Sequence, residues 1–198
     1  MTLPENFKIG SLESRCYQEV PGFSYPSGAY GCVVLIDRQT GQVKVDRFYA
    51  VDDCGVVINP MLAEGQVQGG VAQGISQALY EHFTYSEDGS PLTQSFYTYA
   101  IPIAEDIPEY YMDRKCTPTP NNTLGAKGIG ESGSVGSPPS VVNAVLDALS
   151  FKSLQHVDMP LTSEKIWRIL KKILKVSQNL QIAFKEFCRE QLYMFNLV

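Results

Sequence analysis

The residues best suited by type and spacing to do chemistry lie between Asn121 and Ser140, NNTLGAKGIGESGSVGSPPS. There a single carboxylate, Glu131, stands among five glycines, Gly125, Gly128, Gly130, Gly133 and Gly136. Glycine in an ordered segment loses more backbone entropy than any other residue, so this density persists mainly where the chain takes positive φ or lies against a ligand. Glu131 and Lys127 are the only charged residues of the stretch. A flexible surface turn is the alternative reading. A second group precedes it: Gln66, Gly70, Gln73 and Gln77 share one face of an expected helix that also holds Gly65, Gly69 and Gly74. Each glycine there costs about 1 kcal/mol relative to alanine. Amides beside glycines suit hydrogen bonds to a polar ligand, and the helix N-terminal half also favours an anion. The competing reading is that the glycines admit a neighbouring backbone and the glutamines are solvated.

Other constellations are weaker. Gly128, Gly130 and Gly133 have the GxGxxG spacing, but TPTPNNTL rather than an apolar strand precedes them and Asp147 falls inside an expected helix, which argues against a dinucleotide site. A free-standing nucleotide-binding domain is disfavoured for the same reason. No GxxxxGK[ST] or GxSxG motif occurs, and His82 and His156 have no HExxH partner, so both read as surface or satisfied core residues. Asp52 and Asp53, at a strand end before Gly55, read as turn hydrogen-bonders ahead of a metal or acid–base pair. The cysteines, Cys16, Cys32, Cys54, Cys116 and Cys188, form no CxxC pair and read as reduced packing residues.

The elements that must position these groups follow from periodicity. Ala29 to Ile36 and Val43 to Val51, separated by DRQTGQ, predict a β-hairpin, with Val43, Val45, Arg47, Tyr49 and Val51 on one face of the second arm. Asn59 and Pro60 predict a helix N-cap and first position, with Val67, Val71, Ile75, Leu79 and Phe83 as a buried stripe. SEDGSP is a turn, 94–103 reads as a strand or edge strand, and 107–116 as another. Ser137, Pro138 and Pro139 predict the start of a short helix with Val142, Val145, Leu146 and Leu149 buried. Thr162 or Ser163 caps a last helix through Trp167 and Leu170, with Glu164 and Lys171 placed to suit its dipole.

Composition sets the outer bounds. The chain has 198 residues, 44% hydrophobic and 19% charged, without a transmembrane segment, and its N-terminus lacks the pattern of a secretory signal, which favours the cytoplasm. Its net charge of −5 is uneven: 9 Lys+Arg face 19 Asp+Glu up to Glu164, and 7 face 2 beyond it. The acidic body argues against nucleic acid as a partner.

Three stretches carry a family resemblance. VDDCGVVINPMLAEGQVQGGVAQGISQALYE, then LGAKGIGESGSVGSPPSVVNAVLDAL, then MPLTSEKIW, in that order, resemble the C-terminal part of the molybdenum-binding large subunit of the xanthine dehydrogenase family. The likeness is nearest the carbon monoxide dehydrogenase and aldehyde dehydrogenase branch and runs from about Gly22 to Leu170. It implies an α+β fold, a mixed sheet with packed helices, as part of the molybdenum cofactor-binding domain. Residues 1–21 would be an irregular lead-in, 22–172 the cofactor-binding part, and 173–198 an atypical basic amphipathic tail. By the same resemblance Glu131 matches a general base beside the molybdenum, desolvated in its loop, and Gln66 matches a glutamine bonded to the pterin. Gly65, Gly69 and Gly70 match residues that let the cofactor approach, and Lys127, Gly128, Ile129 and Gly130 would line the cofactor or substrate side.

The implied reaction is oxidation of an aldehyde, a similar small substrate or carbon monoxide, with water as the oxygen source. The implied cofactor is molybdenum-molybdopterin in its cytosine dinucleotide form, with 2Fe-2S and FAD carried by an iron–sulfur small subunit and an FAD medium subunit. The family's large subunit is several times longer than this chain, and motifs that close the pterin site from the other side have no counterpart here. The resemblance therefore implies a split subunit active only with the upstream part, which would leave exposed apolar surface on this chain alone. The alternative is a truncated, catalytically inactive remnant or interaction module that does not hold the cofactor.

Overall fold

The computed structural model describes residues 15–17, 19, 21–149 and 154–179. The hairpin forms as expected: β1 (Ser27–Ile36) pairs antiparallel with β2 (Val43–Asp53). Asp37 shapes the turn by accepting the Gln39 N–H at 2.7 Å, and Gly41 takes φ 78° where the turn lies against Ser163 and Trp167. A single alternation along β2 does not hold. Val33 pairs with Arg47 and Val34 with Val45, leaving Asp46 as a bulge residue. The extra residue reverses the phase. Val43 and Val45 are buried before it, and Phe48, Ala50 and Asp52 after it, so Arg47, Tyr49 and Val51 turn to the less buried face.

The chain then enters α1 (Pro60–Leu79), whose N-cap Asn59 accepts the Leu62 N–H through its side chain. Val67, Val71, Ile75 and Leu79 form the buried stripe. Tyr80 and Glu81 N–H groups both donate to the Ser76 carbonyl and close the last turn, so the expected stripe stops short of Phe83, which is 49% exposed. The strand expected over 94–103 is absent. Ser95 O accepts the N–H groups of Thr98 and Tyr99 and the Thr98 hydroxyl, a local network that outcompetes pairing and leaves Phe96 and Tyr97 outside. The second expected strand is present as β3 (Glu109–Lys115), which joins β2 in parallel and makes the sheet mixed, in the order β1-β2-β3.

α2 (Ser132–Ala148) begins ahead of the expected start at Ser137 and carries Pro138 and Pro139 inside it. Tertiary contact explains the early start. A Cβ on Gly133 would lie 2.5 Å from Val67 O and 2.8 Å from Val71 N, and one on Gly136 2.5 Å from the Tyr30 ring, so this half of the glycine-rich stretch is a packed helix. α2 thus lies on β1 and α1 packs on α2, around a core of Tyr30, Val34, Phe48, Val71, Ile75, Val141 and Val145. α3 (Ser163–Asn179) has Thr162 accepting the Lys165 N–H, as a cap there predicts, and adds Ile166 and Leu170 to the core. Most of the expected lead-in and of the tail after 172 lies outside the described residues.

Candidate functional site

The C-terminal end of β2 delivers two carboxylates with opposite environments. Asp52 is buried and accepts the Tyr30 hydroxyl at 2.5 Å; burial raises its carboxyl, the Tyr30 bond only partly opposing, and raises the Tyr30 phenol as well. Asp53 accepts the Gly55 N–H at 2.9 Å, the Thr117 N–H at 3.0 Å and the Lys127 ammonium at 3.3 Å. Bonds from Thr117 foremost, then Gly55 and Lys127, hold its carboxyl well below the usual range. Asp53 is therefore a turn organiser, as its place before Gly55 implies.

The glycine loop runs alongside this strand end. Lys127 N–H donates to Cys54 O at 2.8 Å, Val56 N–H to Gly125 O at 3.0 Å, and Gly55 and Ala126 form an antiparallel bridge. Gly125 needs its glycine, with φ 67° and Pro118 close by. Asn122 ties the loop to itself: its amide donates to Ala126 O at 2.8 Å and its oxygen accepts the Ala126 N–H at 3.2 Å. On the outer side Gly128 N–H reaches Ser24 O and Asn121 Nδ2 reaches Phe23 O.

Glu131 stands at the N-cap of α2, yet its side chain makes no capping bond and is exposed. Among the described residues nothing covers the carboxylate, so they do not supply the expected desolvation. Its carbonyl is held by the Ser134 hydroxyl at 3.0 Å and the Val135 N–H at 3.0 Å. Next to it the Ser132 hydroxyl oxygen is buried and has no hydrogen-bond partner among the described residues. Across the helix contact, a Cβ on Gly70 would lie 2.8 Å from Ser134 N. Gln66, one turn before Gly70, is exposed on the flank of this contact.

The glycines divide cleanly. Gly70 and Gly74 admit the backbone and side chains of α2, which is the packing reading. Gly65, Gly69, Gly128 and Gly130 have ordinary φ and, among the described residues, nothing within 4 Å of an added Cβ, so neither conformation nor packing against those residues requires them. Lys127 spends its ammonium on Asp53 and leaves its backbone to the loop, while Ile129 packs against the core. Asp52, Cys54, Ala63, Val67, Arg114 and Ile129 line a crevice of about 60 Å³, far below the roughly 300–1,000 Å³ of a ligand pocket. Sequence reasoning missed Ser132 and the framing role of Asn122; an asparagine just ahead of a turn glycine was the available signal for the latter. His82 is exposed and His156 pairs with Asp158 at 2.8 Å on the surface, as expected. Cys32 and Cys54 are buried, free thiols, and burial pushes that of Cys32 up to about 12.

A family model for the molybdopterin cofactor-binding domain matches residues 5–108. The carbon monoxide dehydrogenase large chain of Hydrogenophaga pseudoflava is 44% identical over 160 residues, 81% of this chain and 20% of that protein. The nicotine 6-hydroxylase large subunit of Paenarthrobacter nicotinovorans is 42% identical over 173 residues, 86% of this chain and 21% of its own length. Among solved structures, a Cu,Mo-CO dehydrogenase in its carbon monoxide reduced state superposes with TM-score 0.77 at 40% identity, over 84% of this chain and 20% of that one. The chain therefore spans about a fifth of the length of these relatives.

Proposed function

We propose that this chain, which belongs to the molybdopterin cofactor-binding domain family, contributes one wall of the cofactor site and the general base of a molybdenum hydroxylase large subunit, active only together with the rest of that subunit. The observation that carries the reading is the set of open glycines, Gly65, Gly69, Gly128 and Gly130, on the elements that bear Gln66 and Glu131. No contact among the described residues accounts for them, and a cofactor laid against the backbone does. The orphaned Ser132 hydroxyl beside Glu131 fits the same polar occupant.

When bound, the molybdenum cofactor supplies the redox chemistry. The chain's own residues bind and move a proton. The Gln66 amide hydrogen-bonds the pterin, the backbone of Lys127 to Gly130 lines the site, and Gly70 acts one step removed by seating α1 on α2. The Glu131 carboxylate accepts the proton of the water that provides the oxygen, with an aldehyde, a similar small molecule or carbon monoxide as substrate. The remainder of the large subunit excludes water from Glu131. The cytosine dinucleotide form of the cofactor, the 2Fe-2S and FAD subunits and a cytoplasmic setting belong to this proposal. Among the described residues no helix is long and apolar enough to cross a membrane.

The test is purification with the upstream part of the subunit, followed by molybdenum and pterin analysis. E131Q is expected to keep both and to lose turnover by about 10²–10⁴-fold, the usual worth of a general base. Absence of metal and pterin in every sample would leave the inactive remnant.

A further inference from the structure

We propose that Asp53 and Lys127 form a clamp that fixes the backbone path leading to Glu131, so that Asp53 is a positioning residue and the Lys127 ammonium is not a cofactor ligand. This rests on the reading of Glu131 as the base.

Asp53 Oδ1 collects donors from separate segments: Gly55 in the turn after β2, Thr117 beyond β3, and Lys127 in the glycine loop. Both partners of the ion pair are nearly sealed, with side-chain exposures of 13% for Lys127 and 12% for Asp53. The pair is shielded from bulk water, so the loop cannot leave the strand end without giving up the ion pair together with the main-chain bonds beside it. The approach is close enough to demand glycine at position 55, where φ is 67° and an added Cβ would collide with the Gly125 carbonyl. The backbone bonds from Lys127 to Cys54 and from Val56 to Gly125 flank the pair.

On the other side of Glu131 the chain is already rigid, because α2 starts at Ser132 and its packing on α1 fixes Gly133. Between Lys127 and Ser132 lie Gly128, Ile129, Gly130 and Glu131; among the described residues Gly128 is tied through its N–H to Ser24 O and Gly130 has no such bond. Without the clamp the segment that carries the carboxylate would be held by the Gly128 bond to Ser24 O and the packing of Ile129, with Gly130 free to swing. The depressed Asp53 carboxyl stays ionised at neutral pH and keeps the clamp closed.

D53N retains an acceptor for the main-chain donors and removes the charge, K127M removes the ammonium and keeps the stem, and K127R is the conservative change. In the full chain without cofactor, amide hydrogen exchange over 126–131 should rise about tenfold in D53N and K127M while α1 amides are unchanged, and K127R should recover most of the protection. In the loaded complex, both variants should lower kcat about 100-fold, as misplacement of a reacting group does, with KM and pterin content unchanged. Unaltered exchange over 126–131, or an equal rise throughout α1, overturns the clamp. So does K127M shedding pterin or raising KM alone, which would return Lys127 to the cofactor. E131Q with undiminished turnover would sink the general-base reading and leave the exchange result standing on its own.

Discussion

Replacing Gly69 and Gly133 by alanine should move stability in opposite directions. Gly69 lies inside α1 with nothing within 4 Å of an added Cβ, so G69A gains the helix preference of alanine, about 1 kcal/mol. For a chain of this size that is about 2–4 °C in Tm. At Gly133 the new methyl would meet Val67 O at 2.5 Å and Val71 N at 2.8 Å, main-chain atoms that cannot rotate away. Overpacking of this kind costs about 1–3 kcal/mol, and the propensity gain offsets at most about 1 kcal/mol of it. Urea midpoints at constant m separate the two. A G133A chain more stable than its parent would mean that α1 and α2 do not touch as described. In the complex with the rest of the subunit, G69A should nonetheless hold less pterin. Stability gained with cofactor lost is the mark of a glycine kept for a ligand; full pterin retention in G69A would refute the cradle.

The depressed Asp53 carboxyl sets a pH dependence. Its folded value lies below the unfolded one of about 3.9, so its contribution is complete above that value and drains as pH falls toward the folded pKa. The stability difference between the parent and D53N should be constant from about pH 7 to 5 and shrink below about pH 4; a difference that persists undiminished at about pH 3 contradicts the ion-pair account. Y30F removes the donor to Asp52 and keeps the ring against Phe48 and Gly136. It should cost about 1–3 kcal/mol, the penalty of an unsatisfied buried acceptor, measured by thermal denaturation at neutral pH, and an unchanged Tm would show that water replaces the phenol.

What was legible in the sequence is what local chemistry decides. Asn59 and Pro60 open α1, Asp37 and Gly41 shape the hairpin turn, and Thr162 caps α3, each through contacts within a few residues. The failures are non-local or the result of competition between local terms. The bulge at Asp46 exists only relative to β1, so periodicity in β2 alone could not place the phase change that sends Phe48 inward and Arg47 outward. α2 runs through glycines and prolines that disfavour helix because α1 packs against it. The segment 94–103 has strand composition, but Ser95 and Thr98 settle it as turns.

The sequence leaves the glycine-rich motifs as a choice between ligand approach and packing, and the structure answers differently residue by residue. Gly70, Gly74, Gly133 and Gly136 are where elements touch; at Gly65, Gly69, Gly128 and Gly130 an added Cβ would meet nothing within 4 Å among the described residues. Packing therefore explains why α1 and α2 approach closely at all, and that approach sets Gln66 and Glu131 on neighbouring elements. It leaves unexplained glycines on the same elements, beside exposed Ile58, Met61, Leu62 and Val135. Exposed large apolar side chains are costly in water when they cluster, and under the proposed function these are expected to be covered by the part of the large subunit that this chain, spanning about a fifth of its relatives' length, does not include.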